Sequence, residues 1–483
     1  MNTTIDKVLI SAFCLSLSAA ALADVQLSGK TLAGASITLS DSQAKHLSTT
    51  ADAQGNYKLN IEGLSAPLML VAETSDKQFV SIVPSLAAGT ANINALTDQI
   101  ASDVAQEFKF VGPVGLAKSG KAPAVSVDSI KAKTAALRVS LAPALQESGL
   151  DANSFDPLSA PVQGALADIL AILGHNRGYE PKSGERADTS LYDPYFREVT
   201  RFAPFSLKKA QADLRDINAK DVVRVFIAGD STASNYDPQV LPRMGWGQVF
   251  QRKIKDGAAV RVVNVAQSGR SSRSFINEGW FGMIAANIRK GDYLLVQFGH
   301  NDEKCGNNPV APPPARDGID IANLCTYPGN SADIPAEMSF RKTLEKYIKL
   351  AQDKGATPVL ITPVTRRSFK SGQIGGTTHT YSKGLFPGDY SQTIRDTAQA
   401  NKVALVDLDA RSMAFFNQVG EEASLDYYLA VDTTKYPYYV GLTGARNKPD
   451  NTHFQERGAE TVAGLVADGL REAGLPLAKE LKP

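Results

Sequence analysis

The chain has 483 residues, of which 43% are hydrophobic and 21% are charged, and these fractions exclude gross disorder. Its 51 Lys and Arg residues nearly balance its 50 Asp and Glu residues, giving a formal charge of +1. That balance argues against nucleic-acid binding as the primary role. The length predicts two to four domains.

Residues 1–23 have the layout of a secretory signal peptide. Lys7 precedes an apolar stretch, and Ala21-Leu22-Ala23 offers an A-x-A cleavage site before Asp24. The stretch is too short to span a bilayer, and no later segment has about eighteen uninterrupted apolar residues. We therefore expect an exported protein, periplasmic or secreted, that does not insert into a membrane after cleavage.

Export determines how the cysteines are interpreted. Cys14 lies in the signal peptide, so the mature chain keeps Cys305 and Cys325. An even pair in an oxidising compartment predicts one disulfide, and two free buried thiols are the alternative.

The region before the last 270 residues divides into three parts. Residues 24–90 contain short β-like segments separated by turn residues, such as "ASITLSD" and "YKLNIEG". The run from "GKTLAGASITLSD" to "TTADAQGNYKLNIEG" resembles the transthyretin-like β-sandwich of carboxypeptidase-regulatory-like domains. Residues 91–180 carry apolar residues at helical spacing and predict short helices. Residues 181–215 are polar and rich in Tyr and Pro, which predicts a linker.

Residues 216–483 alternate apolar strands with helical stretches, which predicts an α/β domain with a parallel sheet covered on both faces. In such domains the chemistry lies beyond the carboxyl ends of the strands. The predicted strands are 221–229, 261–267, 292–299, 357–364 and 403–409.

Four short motifs occur in this region, three of them directly after predicted strands. Gly229-Asp230-Ser231 follows the first strand and places Ser231 at a predicted strand-to-helix turn. Gly269 follows the second strand, and Asn301 follows the third in "GHND". "DNTH" precedes the last helical stretch and supplies both a carboxylate, Asp450, and an imidazole, His453. His300, beside Asn301, is interpreted as structural.

Together these motifs resemble the SGNH (GDSL-like) hydrolases, whose blocks carry Ser, Gly, Asn and His in this order. The longer strings "GDSTAS", "SGRSSRSF", "GDYLLVQFGHND" and "DNTHF" are similar to the rhamnogalacturonan and pectin acetylesterases. The resemblance implies a flavodoxin-like three-layer SGNH hydrolase domain over residues 216–483. This chain departs from compact members through its N-terminal region and a Pro-rich insertion at 305–325.

The resemblance also implies roles for individual residues. Ser231 is expected to be the nucleophile, His453 the base and Asp450 the acid that orients it. The backbone N–H groups of Ser231 and Gly269, with the side chain of Asn301, are expected to form the oxyanion hole. The implied activity is deacetylation of a pectic polysaccharide, rhamnogalacturonan or homogalacturonan, through an acetyl-enzyme and without a cofactor.

Two other functions remain open on the sequence. The same fold serves lipases, lysophospholipases and thioesterases acting on longer acyl chains. An envelope carbohydrate-binding protein with a vestigial hydrolase domain is the other alternative. The five histidines are scattered and form no metal-ligand motif, so we expect no metal site. The oligomeric state is left open.

Several side chains are candidates for substrate binding. The guanidinium groups of Arg270 and Arg273 suit a galacturonate carboxylate. The alternative is that one or both of them pair with acids such as Asp230 or Glu278. The indoles either stack on sugar rings or belong to the core. Tyr436, Tyr438 and Tyr439 either line the groove or are surface residues without a function. The four candidates are Arg270, Arg273, Trp246 and Trp280.

Overall fold

The computed structural model describes residues 25–108, 110, 112–119, 125–180, 185–305, 321–382 and 386–483. The predicted signal peptide and residues 306–320 of the insertion lie outside the described residues. Within the described ranges, no helix is both long and apolar enough to cross a membrane.

The N-terminal part is built from antiparallel strands, as predicted. Buried and exposed residues alternate along β2 and β4, so each strand turns one row of side chains inward. Ile37, Leu39, Tyr57 and Leu59 thereby join one apolar core. Strands β1 and β4 pair with each other, and the other four form a sheet in the order β3-β2-β5-β6. The strands are β1 (Gln26–Lys30), β2 (Ser36–Ser40), β3 (His46–Thr50), β4 (Asn56–Asn60), β5 (Leu68–Glu73) and β6 (Gln78–Val83).

A helical region packs against this β-rich part. Asn94 and Thr97 form a capping box at the start of the first helix. Asp98 on the same helix accepts a hydrogen bond from the Val80 N–H of β6 at 2.6 Å. Its second oxygen lies 2.9 Å from His175 Nε2, so a buried carboxylate joins strand, helix and the following hairpin. The helices are α1 (Ala95–Glu107), α2 (Pro113–Lys118), α3 (Val127–Glu147) and α4 (Ala165–Ile172).

The stretch predicted as a linker, 181–215, contains regular structure. Strands β7 (Gly174–Glu180) and β8 (Glu185–Tyr192) form an antiparallel hairpin, and α5 (Leu207–Ile217) follows. From β7, the Asn176 side chain donates to the Glu278 carbonyl at 2.9 Å, and from β8, the Tyr192 ring contacts Trp280 edge-on. These contacts tie the hairpin to the C-terminal part of the chain.

The C-terminal part contains the five-stranded parallel sheet that the sequence predicts. Its order is β11-β9-β12-β13-β16, with β9 between β11 and β12. All four ladders are parallel, so the carboxyl ends of the strands lie at one edge. The strands of this part are β9 (Val223–Gly229), β10 (Arg243–Met244), β11 (Val260–Asn264), β12 (Tyr293–Gln297), β13 (Thr357–Ile361), β14 (Thr380–Tyr381), β15 (Gly388–Asp389), β16 (Ala404–Val406) and β17 (Phe454–Gln455).

Helices cover both faces of this sheet, which confirms the predicted three-layer α/β arrangement. Along β9, Val225 and Ile227 pack on one face, whereas Phe226 and Ala228 pack on the other. The first face is covered by α6, α12 and α13, and the second by α7, α8, α10 and α11. The helices are α6 (Trp246–Val249), α7 (Ser272–Asn277), α8 (Trp280–Asn287), α9 (Ile321–Leu324), α10 (Phe340–Asp353), α11 (Tyr390–Asn401), α12 (Leu408–Val419) and α13 (Glu456–Glu472).

The structure joins Cys305 and Cys325 by a disulfide, with the two Cα atoms 4.6 Å apart. Both residues are almost fully buried, at 1% and 0% exposure. The bond brackets residues 306–320 and begins four positions after Asn301. The two ends of the insertion are therefore held together next to the third strand-end motif.

We expect the purified mature protein to show no alkylation at Cys305 or Cys325 under non-reducing conditions. Replacing both with serine should lower the free energy of unfolding by roughly 3 kcal/mol, because the bond closes a loop of about 20 residues. Peptide mass spectrometry with and without reductant tests the bond, and urea unfolding of the double variant tests its contribution. Two alkylated thiols in the unreduced protein would contradict the bond.

Candidate active site

Ser231 lies at the carboxyl end of β9, in a turn held by the side chain before it. Asp230 Oδ1 accepts hydrogen bonds from the Thr232 N–H at 2.9 Å and the Thr232 hydroxyl at 2.7 Å. Residues 231–233 form this turn without starting a helix, so the expected strand-to-helix turn is wrong. The carboxylate caps the turn locally, and the next α-helix begins only at Trp246. No helix N-terminus therefore stands behind Ser231.

The expected base and acid meet Ser231 across the top of the sheet. His453 Nε2 is 2.9 Å from Ser231 Oγ, and His453 Nδ1 is 2.8 Å from Asp450 Oδ2. The other Asp450 oxygen accepts the backbone N–H groups of Thr452 and His453. Burial tends to raise the pKa of Asp450, but the His453 hydrogen bond and charge and the two N–H groups outweigh it and lower it to about 2. An ionised carboxylate thus orients the imidazole toward the serine.

Three hydrogen-bond donors stand at neighbouring strand ends. The backbone N–H groups of Ser231 and Gly269 donate no hydrogen bond to any residue that the structure describes. Gly269 has φ +81°, a conformation that glycine adopts without strain. Asn301 Nδ2 donates one of its hydrogens to the Arg270 carbonyl at 3.0 Å, which leaves the other for a ligand. β9, β11 and β12 are adjacent, so the sheet brings the three predicted oxyanion-hole residues to one edge.

Lys304, which sequence reasoning missed, fixes the amide of Asn301. Its ammonium donates to Asn301 Oδ1 at 2.7 Å, so the amide nitrogen is turned away from the lysine. Burial lowers the pKa of Lys304, although the charges of Asp230 and Glu303 oppose that shift. No motif in the sequence marks this lysine, since its role depends on the bend that follows Asn301.

Two buried side chains behind the turn, Asp230 and His300, form a coupled pair. His300 Nδ1 lies 3.2 Å from Asp230 Oδ2, and both residues are at most 4% exposed. Burial lowers the pKa of His300 to about 4, so the ring is neutral at pH 7. Among the described residues, the imidazole contacts Asp230 and the His379 ring and makes no hydrogen bond to Ser231. These contacts fit the structural interpretation of His300.

Asp302 connects the Asn301 segment to the loop that carries Gly269. It accepts hydrogen bonds from the N–H and hydroxyl of Ser272, the first residue of α7, and from the Thr326 hydroxyl. Burial raises the pKa of Asp302 to about 7, although these donors oppose the rise. The carboxyl group therefore links two of the strand-end loops and the segment after the insertion.

The four side chains predicted to bind substrate, Arg270, Arg273, Trp246 and Trp280, either bond to other parts of the protein or lie in its cores. Arg270 Nε bonds Glu278 at 2.6 Å and its Nη1 bonds the Ser268 carbonyl at 2.9 Å, so this guanidinium braces its own loop. Arg273 Nη1 contacts the Cys325 carbonyl at 3.4 Å. Trp246 and Trp280 are 0% and 3% exposed. The interpretation of the two indoles as sugar-stacking surfaces is wrong, because both lie in the cores that flank the sheet.

Comparison with known proteins agrees with this geometry. Residues 227–460 match the model of the GDSL-like lipase/acylhydrolase family. A rhamnogalacturonan acetylesterase of Bacillus subtilis, RhgT, is 36% identical over 264 residues, which cover 54% of this chain and 95% of that protein. The chain belongs to the GDSL-like lipase/acylhydrolase family. It is therefore an ester hydrolase, and the expected resemblance to SGNH hydrolases is confirmed.

Other relatives of this GDSL-like hydrolase match the same half of the chain. A probable rhamnogalacturonan acetylesterase of B. subtilis, YesY, is 33% identical over 53% of this chain and 96% of that protein. A rhamnogalacturonan acetylesterase of Emericella nidulans is 28% identical over 52% of this chain and 86% of that protein. The solved structure of B. subtilis YxiM covers 61% of this chain and 67% of that chain, with 22% identity and a TM-score of 0.40.

Gly269 offers a direct test of the loop conformation. No heavy atom lies within 4 Å of a Cβ added at Gly269, so Gly269→Ala changes only the backbone preference. We expect about 1–2 kcal/mol of strain at this positive φ. Rotation of the N–H to relieve it should reduce turnover of p-nitrophenyl acetate about tenfold or more. Assays with p-nitrophenyl acetate measure the change in turnover, and urea unfolding measures the change in the free energy of unfolding.

Gly282→Ala is the matched control. Gly282 is exposed in α8, has no positive φ and also has open space around its Cβ. This change should keep wild-type turnover and raise the free energy of unfolding by about 0.4–1 kcal/mol. Wild-type turnover in both variants would contradict the expected displacement of the Gly269 N–H.

Proposed function

We propose that the protein is an exported serine esterase that removes acetyl groups from a pectic polysaccharide. The observation that carries the proposal is the continuous contact of Ser231 Oγ, His453 and Asp450, at 2.9 Å and 2.8 Å, with the expected oxyanion-hole residues after adjacent strands. The relatives named for rhamnogalacturonan deacetylation support the acetyl group and the pectic backbone. The signal-like residues 1–23 and the disulfide support export.

In the proposed reaction, Ser231 Oγ attacks the acetyl carbonyl carbon while His453 Nε2 takes the hydroxyl proton. The carbonyl oxygen becomes an oxyanion that accepts hydrogen bonds from the N–H groups of Ser231 and Gly269 and from Asn301 Nδ2. The carbon–oxygen bond to the sugar then breaks, and His453 returns its proton to the sugar oxygen. The acetyl group stays bound to Ser231 Oγ as an ester.

Water completes the cycle by the same route. His453 takes a proton from a water molecule, whose oxygen attacks the acetyl-enzyme, and the second tetrahedral oxyanion uses the same donors. Collapse releases acetic acid and restores the Ser231 hydroxyl with the proton held by His453. Asp450 keeps its charge throughout and stabilises the imidazolium.

We expect Ser231→Ala and His453→Ala to reduce turnover by a factor on the order of a million, because the members of a triad act as a unit. Neither side chain belongs to the apolar cores that flank the sheet, so thermal unfolding should stay close to wild type. His46→Ala, at an exposed histidine on β3, is the control and should keep full activity. Retention of more than about a tenth of wild-type activity in Ser231→Ala would exclude it as the nucleophile.

Acetate release from a panel of acetylated polymers tests the substrate. Rhamnogalacturonan and homogalacturonan should be deacetylated faster than acetylated xylan, and p-nitrophenyl acetate faster than p-nitrophenyl octanoate. Ser231→Ala supplies the background for every substrate. Preference for the octanoate would favour the lipase alternative, and equal rates on xylan and pectin would remove the pectic assignment.

A further inference from the structure

Arg243 carries a charge that no described carboxylate neutralises. The residue is half-buried on β10, and no Asp or Glu oxygen in the described ranges lies within 4.0 Å of its guanidinium. Its Nε is buried without a hydrogen-bond partner among those residues. By contrast, Arg270 pairs with Glu278 and Arg366 with Glu303. A half-buried cation without a counter-ion is unfavourable unless an anion binds there.

The guanidinium is held rigidly next to the nucleophile. Its Cζ atom lies over the Tyr236 ring, 4.4 Å from the centroid, and Nη2 donates to Tyr236 Oη at 3.0 Å. Tyr236 Oη in turn donates to the Ser231 carbonyl at 2.6 Å. Two hydrogen bonds therefore separate Arg243 from Ser231, and Nη1 has no hydrogen-bond partner among the described residues.

The strand that carries Arg243 also runs beside the catalytic histidine. β10 pairs antiparallel with β17, so Arg243 is opposite Gln455, two positions after His453. The guanidinium is thus anchored to the segments that carry both the expected nucleophile and the expected base. An anion bound by Arg243 would lie beside the group that Ser231 attacks.

An exposed apolar shelf adjoins this position. We use that term for Tyr438, Val440 and Leu442, which are 43%, 67% and 45% exposed. Tyr439, between them, donates its hydroxyl to the Val240 carbonyl and so docks the shelf on the segment before Arg243. Burial raises the pKa of Tyr439, and the positive charge of Arg243 opposes that rise.

We propose that Arg243 binds the carboxylate of a uronosyl residue next to the acetylated sugar, and that the apolar shelf supports the apolar face of the same chain. A uronosyl residue combines a carboxylate with a ring whose C–H groups pack on apolar side chains, and the site offers both partners. Nη1 and the second hydrogen of Nη2 can donate two parallel hydrogen bonds to one carboxylate, whereas the buried Nε takes no part. This inference rests on the proposed function, since it names the residue that reads the acidic backbone.

The inference assigns carboxylate recognition to Arg243 and not to the arginines of the Gly269 loop. Arg270 spends its Nε and Nη1 on Glu278 and Ser268, and Arg273 reaches the Cys325 carbonyl. The contact between Arg243 and the polysaccharide backbone should be equally strong in the ground state and in the transition state. Loss of Arg243 should therefore act mainly on KM. Small acetates lack the carboxylate and should be insensitive.

The test compares Arg243→Gln and Arg243→Lys on one polymer in two forms: acetylated homogalacturonan with free carboxylates and the same polymer methyl-esterified. For wild type, the free form should have the lower KM. Arg243→Gln should raise KM for the free form about 10- to 100-fold, as loss of a charge-assisted hydrogen bond predicts, and abolish the preference. Arg243→Lys should keep part of it. Arg252→Gln, at an exposed arginine paired with Glu456 and Glu460, is the matched control.

The outcomes separate this inference from the proposed function. If wild type releases no acetate from any pectic polymer, the proposed function fails and the subsite with it. If wild type prefers the free form and Arg243→Gln keeps that preference, only the role of Arg243 is overturned. Equal losses on p-nitrophenyl acetate and polymer in a folded Arg243→Gln would also overturn it, because Arg243 would then act through Tyr236 and Ser231. Arg243→Lys provides the comparison if the glutamine variant does not fold.

Discussion

The parallel alignment of β9 with its two neighbours is the constraint on which the site depends. Gly229 at the end of β9 lies level with Gln297 on β12, and Ile227 lies level with Asn264 on β11. The chain therefore leaves all three strands at the same edge, and Ser231, Gly269 and Asn301 need only short turns to converge. Gln297 reinforces this edge, because its side-chain oxygen, Oε1, accepts from the Trp246 indole N–H at 2.9 Å and lies 2.9 Å from the Thr232 hydroxyl oxygen. The catalytic geometry follows from backbone register first and side-chain contacts second.

The features that were predictable from sequence are those encoded locally. Near-continuous apolar runs such as 223–229 mark buried parallel strands, and the polar residues directly after them mark the strand-end loops. The residue types that carry the chemistry can therefore be assigned to the carboxyl edge of the sheet from the sequence. The pairing of His453 with Ser231, 222 positions apart, could be expected only from the resemblance to a known family.

The features that were not predictable depend on contacts between distant segments. The sequence around Trp246 is the same whether the indole stacks on a sugar or fills a core, and its complete burial decides for the core. The turn after Ser231 lacks a helix because Asp230 caps it from within. Lys304 acts through an amide three positions earlier, and Arg243 is distinguished by having no carboxylate partner among the residues that the structure describes. None of these properties has a periodicity that a sequence pattern detects.

The hairpin before the sheet has a consequence for how the molecule can be divided. Asn176 donates to the carbonyl of Glu278, whose carboxylate holds Arg270, whose own carbonyl receives Asn301 Nδ2. A relay of four residues thus runs from a hairpin outside residues 216–483 to the amide expected to meet the oxyanion. A minimal enzyme cut at residue 216 would lose the first donor of that relay and uncover the Trp280 edge that Tyr192 contacts. Transplanting the esterase onto another carrier would therefore require a new surface at this seam, with an amide donor and an aromatic ring in equivalent places.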